Sequence, residues 1–248
     1  MFRDTPQAQQ AQQVPQDPQR TARPRGAAVR RALALAAVPV LLVAGCSSGG
    51  DGGSKEAAEP SAAPSSAAPS PEPVKFTTLP DPCQSLGRDL VQEVVPKAPP
   101  GKNLGSKDAD AYTSCLWSGL DDFEYRALSV SFRRFDSDTG LGSGDERATE
   151  YAAQQVEAAT RDESHKGVKD SPLKDLGDAA TNVAYDTAKK DGKKSEDYRE
   201  QRTVVRSANV VITVDYSGAG FEDAKTPSAD SIGKGAEKVA EKALSALD

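Results

Sequence analysis

The sequence predicts an α+β domain, in which an antiparallel sheet packs against two or three helices and one disulfide joins two of its elements. Several segments alternate apolar with polar residues, as strands buried on one face do. Other segments carry apolar residues at helical spacing. Predicted strands are joined in pairs by short turns, which indicates antiparallel pairing, and helices are mixed with these hairpins along the chain.

The first predicted element is a helix that begins after Asp81. A capping carboxylate followed by Pro82 at the first helical position is typical of a helix start. Apolar residues then recur at helical spacing, and Pro96 ends the helix. These apolar residues are Cys83, Leu86, Leu90 and Val94. Residues 97–110 predict a polar loop.

A pair of strands follows this loop. Residues 112–117 and 125–135 predict strands on either side of a turn at Asp121-Asp122. Apolar residues alternate with polar ones in the second strand, so we expect one of its faces to be buried. The alternating apolar residues are Leu128, Val130 and Phe132.

The C-terminal half predicts two helices and further strands. Ser228 caps the last helix, which carries an apolar stripe. The segment 186–200 is almost wholly charged and predicts a solvated excursion from the domain. The other predicted elements are a helix at 145–161, a strand at 181–185, and a hairpin of strands 202–206 and 210–216.

Composition and charge exclude several classes of protein. The formal net charge of −6 argues against a protein that binds nucleic acid. One His and three Cys leave little material for a metal or haem site, so we expect no metal and no cofactor. Residues 1–45 hold six basic and two acidic residues, and the rest of the chain is acidic. A basic head before an acidic body is typical of an exported protein.

The N-terminal segment predicts a lipoprotein signal peptide spanning residues 1–45. Arg30-Arg31 precede an apolar run at 32–44, whose 13 residues are too few to span a membrane. The run ends in Ala44-Gly45-Cys46, which resembles the lipobox of bacterial lipoproteins. Cys46 is therefore the predicted site of lipidation, with palmitate among the expected acyl chains. We expect these chains to hold the protein on the outer face of the cytoplasmic membrane. Translation from Val29, and Sec or twin-arginine export, remain open alternatives.

A tether is predicted between this anchor and the folded domain. Ser, Gly, Pro and Ala dominate residues 46–78, which carry little apolar material to offset the entropy of ordering. Residues 79–248 then predict a single extracytoplasmic domain. Cys83 and Cys115 are its two cysteines, and an even pair outside the cytoplasm predicts a disulfide. A reactive thiol pair is the alternative, although the spacing is unlike C-x-x-C.

Three motifs suggest chemistry only weakly, and no catalytic residue is predicted. His165 is the only histidine and is expected on the surface. Ser171 and Lys174 match an S-x-x-K pattern, but its companion motifs are missing. The segment 136–140 resembles a calcium loop, yet Gly140 stands where a ligand is needed, so a plain turn is expected, with a weak cation site as the alternative.

The domain resembles actinobacterial lipoproteins of unknown function that open with D-P-C and continue to a C-x-W. These motifs are Asp81-Pro82-Cys83 and Cys115-Leu116-Trp117. The segment 175–180 is similar to that family's G-L-G-D-x-A element, with Asp175 in place of the first Gly. The resemblance implies a secreted, disulfide-bonded, anchored domain and supplies no reaction.

These observations predict a membrane-anchored, non-catalytic domain that binds or senses an envelope protein, a glycan or a small amphiphile. One alternative is an envelope hydrolase that uses two carboxylates, because glycan cleavage needs only two that flank a bond. A solute receptor for a transporter is a further alternative, although such receptors are usually larger than the predicted domain.

Overall fold

Seven strands form one antiparallel sheet in a computed structural model that describes residues 70–191 and 194–248. The strand order is β1-β2-β3-β7-β6-β5-β4. The strands are β1 Lys102–Asn103, β2 Tyr112–Asp121, β3 Glu124–Arg134, β4 Lys166–Leu173, β5 Ala179–Asp191, β6 Lys194–Ser207 and β7 Val210–Gly220. The helices are α1 Pro82–Ser85, α2 Arg88–Val94, α3 Gly144–Arg161 and α4 Ala229–Leu244. The predicted α+β class with one disulfide is confirmed.

Helices cover both faces of the sheet, but to different extents. The main core lies on the face that we call inner, where α1, α2 and α4 pack on strand residues such as Ile212 and Val214. The opposite, outer face packs against α3 alone, where Ala148 contacts Val204 and Val211. Because side chains alternate along a strand, Val211 and Ile212 belong to different faces. On this face α3 packs mainly on β5, β6 and β7, and it reaches β3 through Tyr151, whose ring centroid lies 5.0 Å from the Arg133 guanidinium.

The single helix predicted after Asp81 is two short helices in the structure. Asp81 caps α1 as predicted, since its side chain accepts a hydrogen bond of 2.8 Å from the Cys83 backbone. Gly87 then has a φ of 74°, a left-handed conformation that interrupts the helix before α2 begins. This interruption gives four helices in the described residues instead of the predicted two or three.

The charged segment 186–200, predicted to be a solvated excursion, is a regular hairpin of β5 and β6. β5 and β6 pair continuously from Ala179↔Arg206 to Asp191↔Lys194, although β6 pairs with β7 only as far as Tyr198. The end of the hairpin thus extends beyond the sheet. Alternation is absent there because a two-stranded arm has no core against which to bury one face.

The short strand β1 and the edge strand β4 are also absent from the prediction. β4 is an edge of the sheet and most of its side chains are exposed, so its sequence carries no periodic apolar signal. The predicted helices at 145–161 and after Ser228 are present. Ser143 and Glu146 form a reciprocal capping box at the start of α3, and Ser228 caps α4.

The buried side chain of Asn209 fixes the first described segment to the domain. Its Oδ1 accepts a hydrogen bond from the Phe76 backbone N–H, and its Nδ2 donates to the carbonyl oxygens of Phe76 and Phe135, all at 2.9 Å. Asn209 lies at the turn between β6 and β7. The chain therefore enters the fold at the end of the sheet that carries this turn.

The predicted anchor lies outside the described residues. Cys46, the signal peptide 1–45 and the tether up to residue 69 all fall there. Among the residues that the structure describes, no helix has the length and apolarity needed to cross a membrane.

Candidate functional site

The predicted disulfide between Cys83 and Cys115 is present and ties α1 to β2, with a Cα–Cα distance of 5.3 Å. Cys115 is fully buried beside Trp117. Gly101 packs so closely on both residues that a Cβ at this position would lie 2.5 Å from Cys115 Sγ. The disulfide is thus part of the core, and its surroundings hold the segment before β2 in place.

His165 is largely buried, so the expectation of a surface histidine is wrong. Its ring stacks on Tyr185 with the centroids 3.7 Å apart, and its Nδ1 lies 2.7 Å from the carbonyl oxygen of Ala159. Only 13% of its side chain is exposed. The ring therefore closes the C-terminal end of α3 against the sheet.

The loop that resembles a calcium site is a turn. The Asp138 carboxylate accepts hydrogen bonds from the backbone N–H groups of Gly140 and Leu141, at 2.8 and 2.9 Å. Within residues 70–191 and 194–248, no group of three or more His, Cys, Asp or Glu side chains could hold a metal ion. Ser171 and Lys174 are exposed at the edge strand β4 and its end.

Large apolar and aromatic side chains gather at the end of the sheet opposite Asn209. We call this group the aromatic end. The rings of Tyr125, Tyr198 and Phe221 form a triangle with centroids 5.9 to 6.3 Å apart. Leu120 and Phe123 adjoin the triangle and are 52% and 54% exposed. Large apolar side chains at such exposure gain little from folding, so their position points to a surface for another molecule.

Sheet register brings these residues together from three parts of the chain. Leu120 pairs with Tyr125 across β2 and β3, and both Tyr125 and Tyr198 pair with Ala219 of β7. Cross-strand partners share a face, so all three side chains lie on the outer face. Tyr125 and Tyr198 are 73 residues apart in sequence and meet only because β7 lies between β3 and β6.

Phe123 and Phe221 lie at two tight turns, which a backbone hydrogen bond joins. Asp122 and Phe123 link β2 to β3 with φ values of 44° and 67°. Glu222 and Asp223 form a second turn with φ values of 47° and 71°. Left-handed backbone costs a residue with a Cβ roughly 1–2 kcal/mol, and glycine is the usual solution in such a turn. An exposed phenylalanine there has an energetic cost that no described intramolecular burial offsets, which is typical of a functional position.

Charged side chains of both signs lie beside the aromatic end. The turn segments 121–124 and 221–224 contain five acidic residues and no basic one. Lys97 neutralises Asp121 at 2.5 Å, and Arg126 neutralises Glu124 at 3.1 Å. Asp122, Glu222 and Asp223 are exposed, as is Lys225 directly after the second turn, and Lys189 lies 4.1 Å from the centroid of the Tyr198 ring.

The outer face beside the aromatic end carries charged pairs. Arg202 donates to Asp215 at 2.7 Å, and burial raises the pKa of the neighbouring Tyr185. Glu200 accepts a hydrogen bond from Thr187 and forms an ion pair with Lys189 at 3.2 Å. The carboxylates of Asp215 and Glu200 thus each have a partner in the structure.

Another candidate site is a concave surface between α3 and the strands β4 to β6, with a volume of about 580 Å³. Its floor includes Val156 and Val204, which would suit an apolar chain. The arginines at its rim already form ion pairs, Arg161 with Glu157 and Arg206 with Asp178. The aromatic end is the stronger candidate, because it exposes the large apolar side chains of Leu120 and Phe123.

A comparison with known protein families shows to which family the chain belongs. The model of the family described as "Protein of unknown function (DUF3558)" matches residues 41–244. The chain belongs to this DUF3558 family. The D-P-C and C-x-W motifs fall within the matched range. Searches of curated proteins and of solved structures found no match.

The DUF3558 match gives no activity, so the candidate site depends on geometry. Of the aromatic end, the sequence placed Tyr125 in a strand, but none of the five residues was predicted to be functional. One local signal was available, because Phe123 stands in a hairpin turn where Gly or Asn is expected.

Proposed function

We propose that this protein is a lipoprotein, anchored through Cys46 on the outer face of the cytoplasmic membrane, whose folded domain binds another envelope component through the aromatic end without covalent chemistry. The observation that carries the proposal is the exposed Phe123 in a left-handed turn, next to the triangle of Tyr125, Tyr198 and Phe221. Protein interfaces concentrate their binding energy in such aromatic clusters.

The position of the aromatic end supports this function. β3 runs from Glu124, paired with Gly220, to Arg134, paired with Val210 near the point where the chain enters the fold. These ends of the strand are about 33 Å apart at the usual rise per residue. A partner at the aromatic end would therefore lie on the side of the domain away from the attached tether.

The proposal predicts that position 123 contacts a partner in living cells. Phe123→p-benzoylphenylalanine in the full-length protein places a photoreactive ring at the centre of the proposed surface. Illumination of whole cells is expected to give a discrete crosslinked product, and this product should disappear when Tyr125→Ala and Phe221→Ala are added. Mass spectrometry of the product then identifies the partner.

Leu141 offers a matched control. It is 69% exposed and lies in the loop between β3 and α3, outside the turns of the aromatic end. The same photoreactive residue at 141 should give no corresponding product. Equal products from both positions, or none from 123, would contradict the proposed function.

A further inference from the structure

We propose that a cavity between the first two helices and Trp117 binds a small apolar molecule that carries a hydrogen-bond acceptor, such as a carbonyl or carboxylate oxygen. The cavity has a volume of about 250 Å³ and lies where α1 and α2 meet the segment before β1 and the inner face of β2. It shares no residue with the aromatic end, so this inference does not rest on the proposed function.

The walls of the cavity are mostly apolar. Val91 and Ala98 belong to the main core, and Cys83 reaches the cavity from the disulfide. Gly87 leaves the mouth open, because a Cβ at this position would meet no atom within 4 Å. Small-molecule sites are typically recesses of this kind, with apolar walls and a few placed polar groups. The cavity therefore suits the apolar body of a ligand.

Trp117 supplies a polar group inside this apolar lining. Its side chain lines the cavity and is only 3% exposed. Its indole N–H donates to no acceptor in the part of the chain that the structure describes. Gly101 lines the cavity beside this group, and a Cβ at 101 would overlap Trp117 Nε1. Because a buried donor without an acceptor costs stability, a ligand oxygen would replace the hydrogen bond that burial removes.

The other side-chain donors of the lining already have partners or reach water. Gln92 donates to the Ala98 carbonyl oxygen at 2.7 Å, which also holds the loop in place. Gln84 donates to the Asp81 carboxylate at 3.0 Å. Arg88 lies at the mouth and is exposed. Within the described residues, Trp117 is thus the one lining side chain whose donor is both buried and unpaired.

Charge at the mouth does not set the sign of the ligand. Arg88 forms no ion pair within the described residues, but Asp81 and Asp89 belong to the same short helical segment. The ligand is therefore defined by its acceptor instead of by its net charge. A neutral and an anionic compound both satisfy the indole N–H, whereas a compound whose polar end carries only donors does not.

The volume limits the ligand to about one ring. Sites for drug-sized molecules have volumes of roughly 300–1,000 Å³. The cavity of about 250 Å³ lies below this range. A peptide segment or a lipid with two acyl chains would exceed it, so the expected ligand is a small compound.

Three compounds of similar shape test the requirement for an acceptor. Benzamide is neutral with one acceptor, benzoate is anionic with acceptors only, and cationic benzamidine carries donors only. Trp117 is the only tryptophan of the chain, so tryptophan emission of the full-length protein in detergent reports binding at the cavity. We expect saturable changes with benzamide and benzoate, at affinities about tenfold tighter than that of benzamidine. N-acetyltryptophanamide in the same detergent controls for direct quenching.

Replacing the tryptophan tests the role of its N–H. Trp117→Phe keeps an aromatic ring and removes the donor, so calorimetry should show about tenfold weaker binding of benzamide and no preference over benzamidine. Tyr185→Phe is the matched control, because it also removes a polar group from a buried aromatic side chain, but on the outer face. It should keep both the affinity and the preference. Urea denaturation verifies that the two variants are folded.

Three results overturn the inference. The first is the absence of a saturable change with all three compounds, which leaves water as the occupant. The second is equal binding of benzamidine and benzamide, and the third is an unchanged preference in folded Trp117→Phe. If this variant does not fold, the three compounds on the wild type decide the inference. Photo-crosslinking from position 123 tests a different surface, so its result leaves this inference unaffected.

Discussion

The backbone N–H of Phe221 donates a hydrogen bond of 2.9 Å to the carbonyl oxygen of Phe123. This bond joins the turn between β2 and β3 to the turn after β7. Both turns contain non-glycine residues in left-handed conformations, and both contribute rings or neighbours to the aromatic end. The proposed binding surface is thus held by the backbone, while the side chains of Leu120 and Phe123 remain exposed.

Replacing Phe123 with glycine should separate stability from binding. Phe123→Gly removes a left-handed residue with a Cβ and loses little burial, while glycine adds entropy to the unfolded chain. We expect the free energy of unfolding to rise by up to about 1 kcal/mol, measured by urea denaturation. Binding at the aromatic end should be lost.

Leu141→Ala is the control for this substitution, because it removes another exposed apolar side chain from a different part of the domain. It should leave both stability and binding unchanged. If Phe123→Gly retained full binding, the strained aromatic residue would have no role in the contact.

Removing the Asn209 side chain should release the first described segment. Asn209→Ala leaves the partly buried N–H and carbonyl of Phe76 and the carbonyl of Phe135 without their present partners. The expected loss of stability is about 2–4 kcal/mol, with faster proteolysis at residues 70–78. Asn103→Ala removes an exposed amide bonded to Gly105 and should change little. Equal effects of the two substitutions would contradict the role of Asn209 in holding the first described segment on the domain.

Breaking the disulfide should destabilise the domain without changing the aromatic end. Cys83→Ala with Cys115→Ala opens a loop of 32-residue separation, for which chain entropy predicts a loss of about 3–4 kcal/mol. Urea denaturation measures the loss. Reductant should lower the stability of the wild type and leave the double variant unaffected. If reductant also destabilised the double variant, the effect on the wild type could not be assigned to this disulfide.

Tyr216 should contribute to the loss of stability at alkaline pH. Burial raises the pKa of its hydroxyl, which donates to the Val94 carbonyl oxygen. Because the folded pKa is raised, this contribution is complete below the unfolded value near 10 and is lost as pH rises through the folded value. Tyr216→Phe should therefore cost about 1–2 kcal/mol at pH 7 and flatten the alkaline decline of stability. An unchanged alkaline slope would contradict this role.

The sequence predicted the parts of the fold that depend on local signals. Asp81 and Ser228 cap helices as expected, and the Cys83–Cys115 disulfide was predicted from the expectation of export and from the two cysteines of the domain. Such features are readable because each depends on neighbouring residues or on the compartment.

The candidate site depended on long-range pairing and could not be predicted in the same way. Tyr198 lies in a charged segment whose strand pairing leaves no periodic apolar pattern. Its contact with Tyr125 requires β7 to lie between β3 and β6, a placement that the spacing of residues does not determine. His165 was misjudged for a related reason, because its burial arises from stacking on Tyr185 of a distant strand.

The account depends most on Cys46, since a domain that is not held at the outer face of the membrane would not meet an envelope partner there. Cys46→Ser in the full-length protein tests this directly by fractionation of cells into membrane and soluble material. We expect the wild type in the membrane fraction as a mature chain that begins at the lipidated cysteine. The variant should leave that fraction or accumulate as an uncleaved precursor. A variant that stays equally bound to the membrane and is cleaved at the same bond would contradict the account.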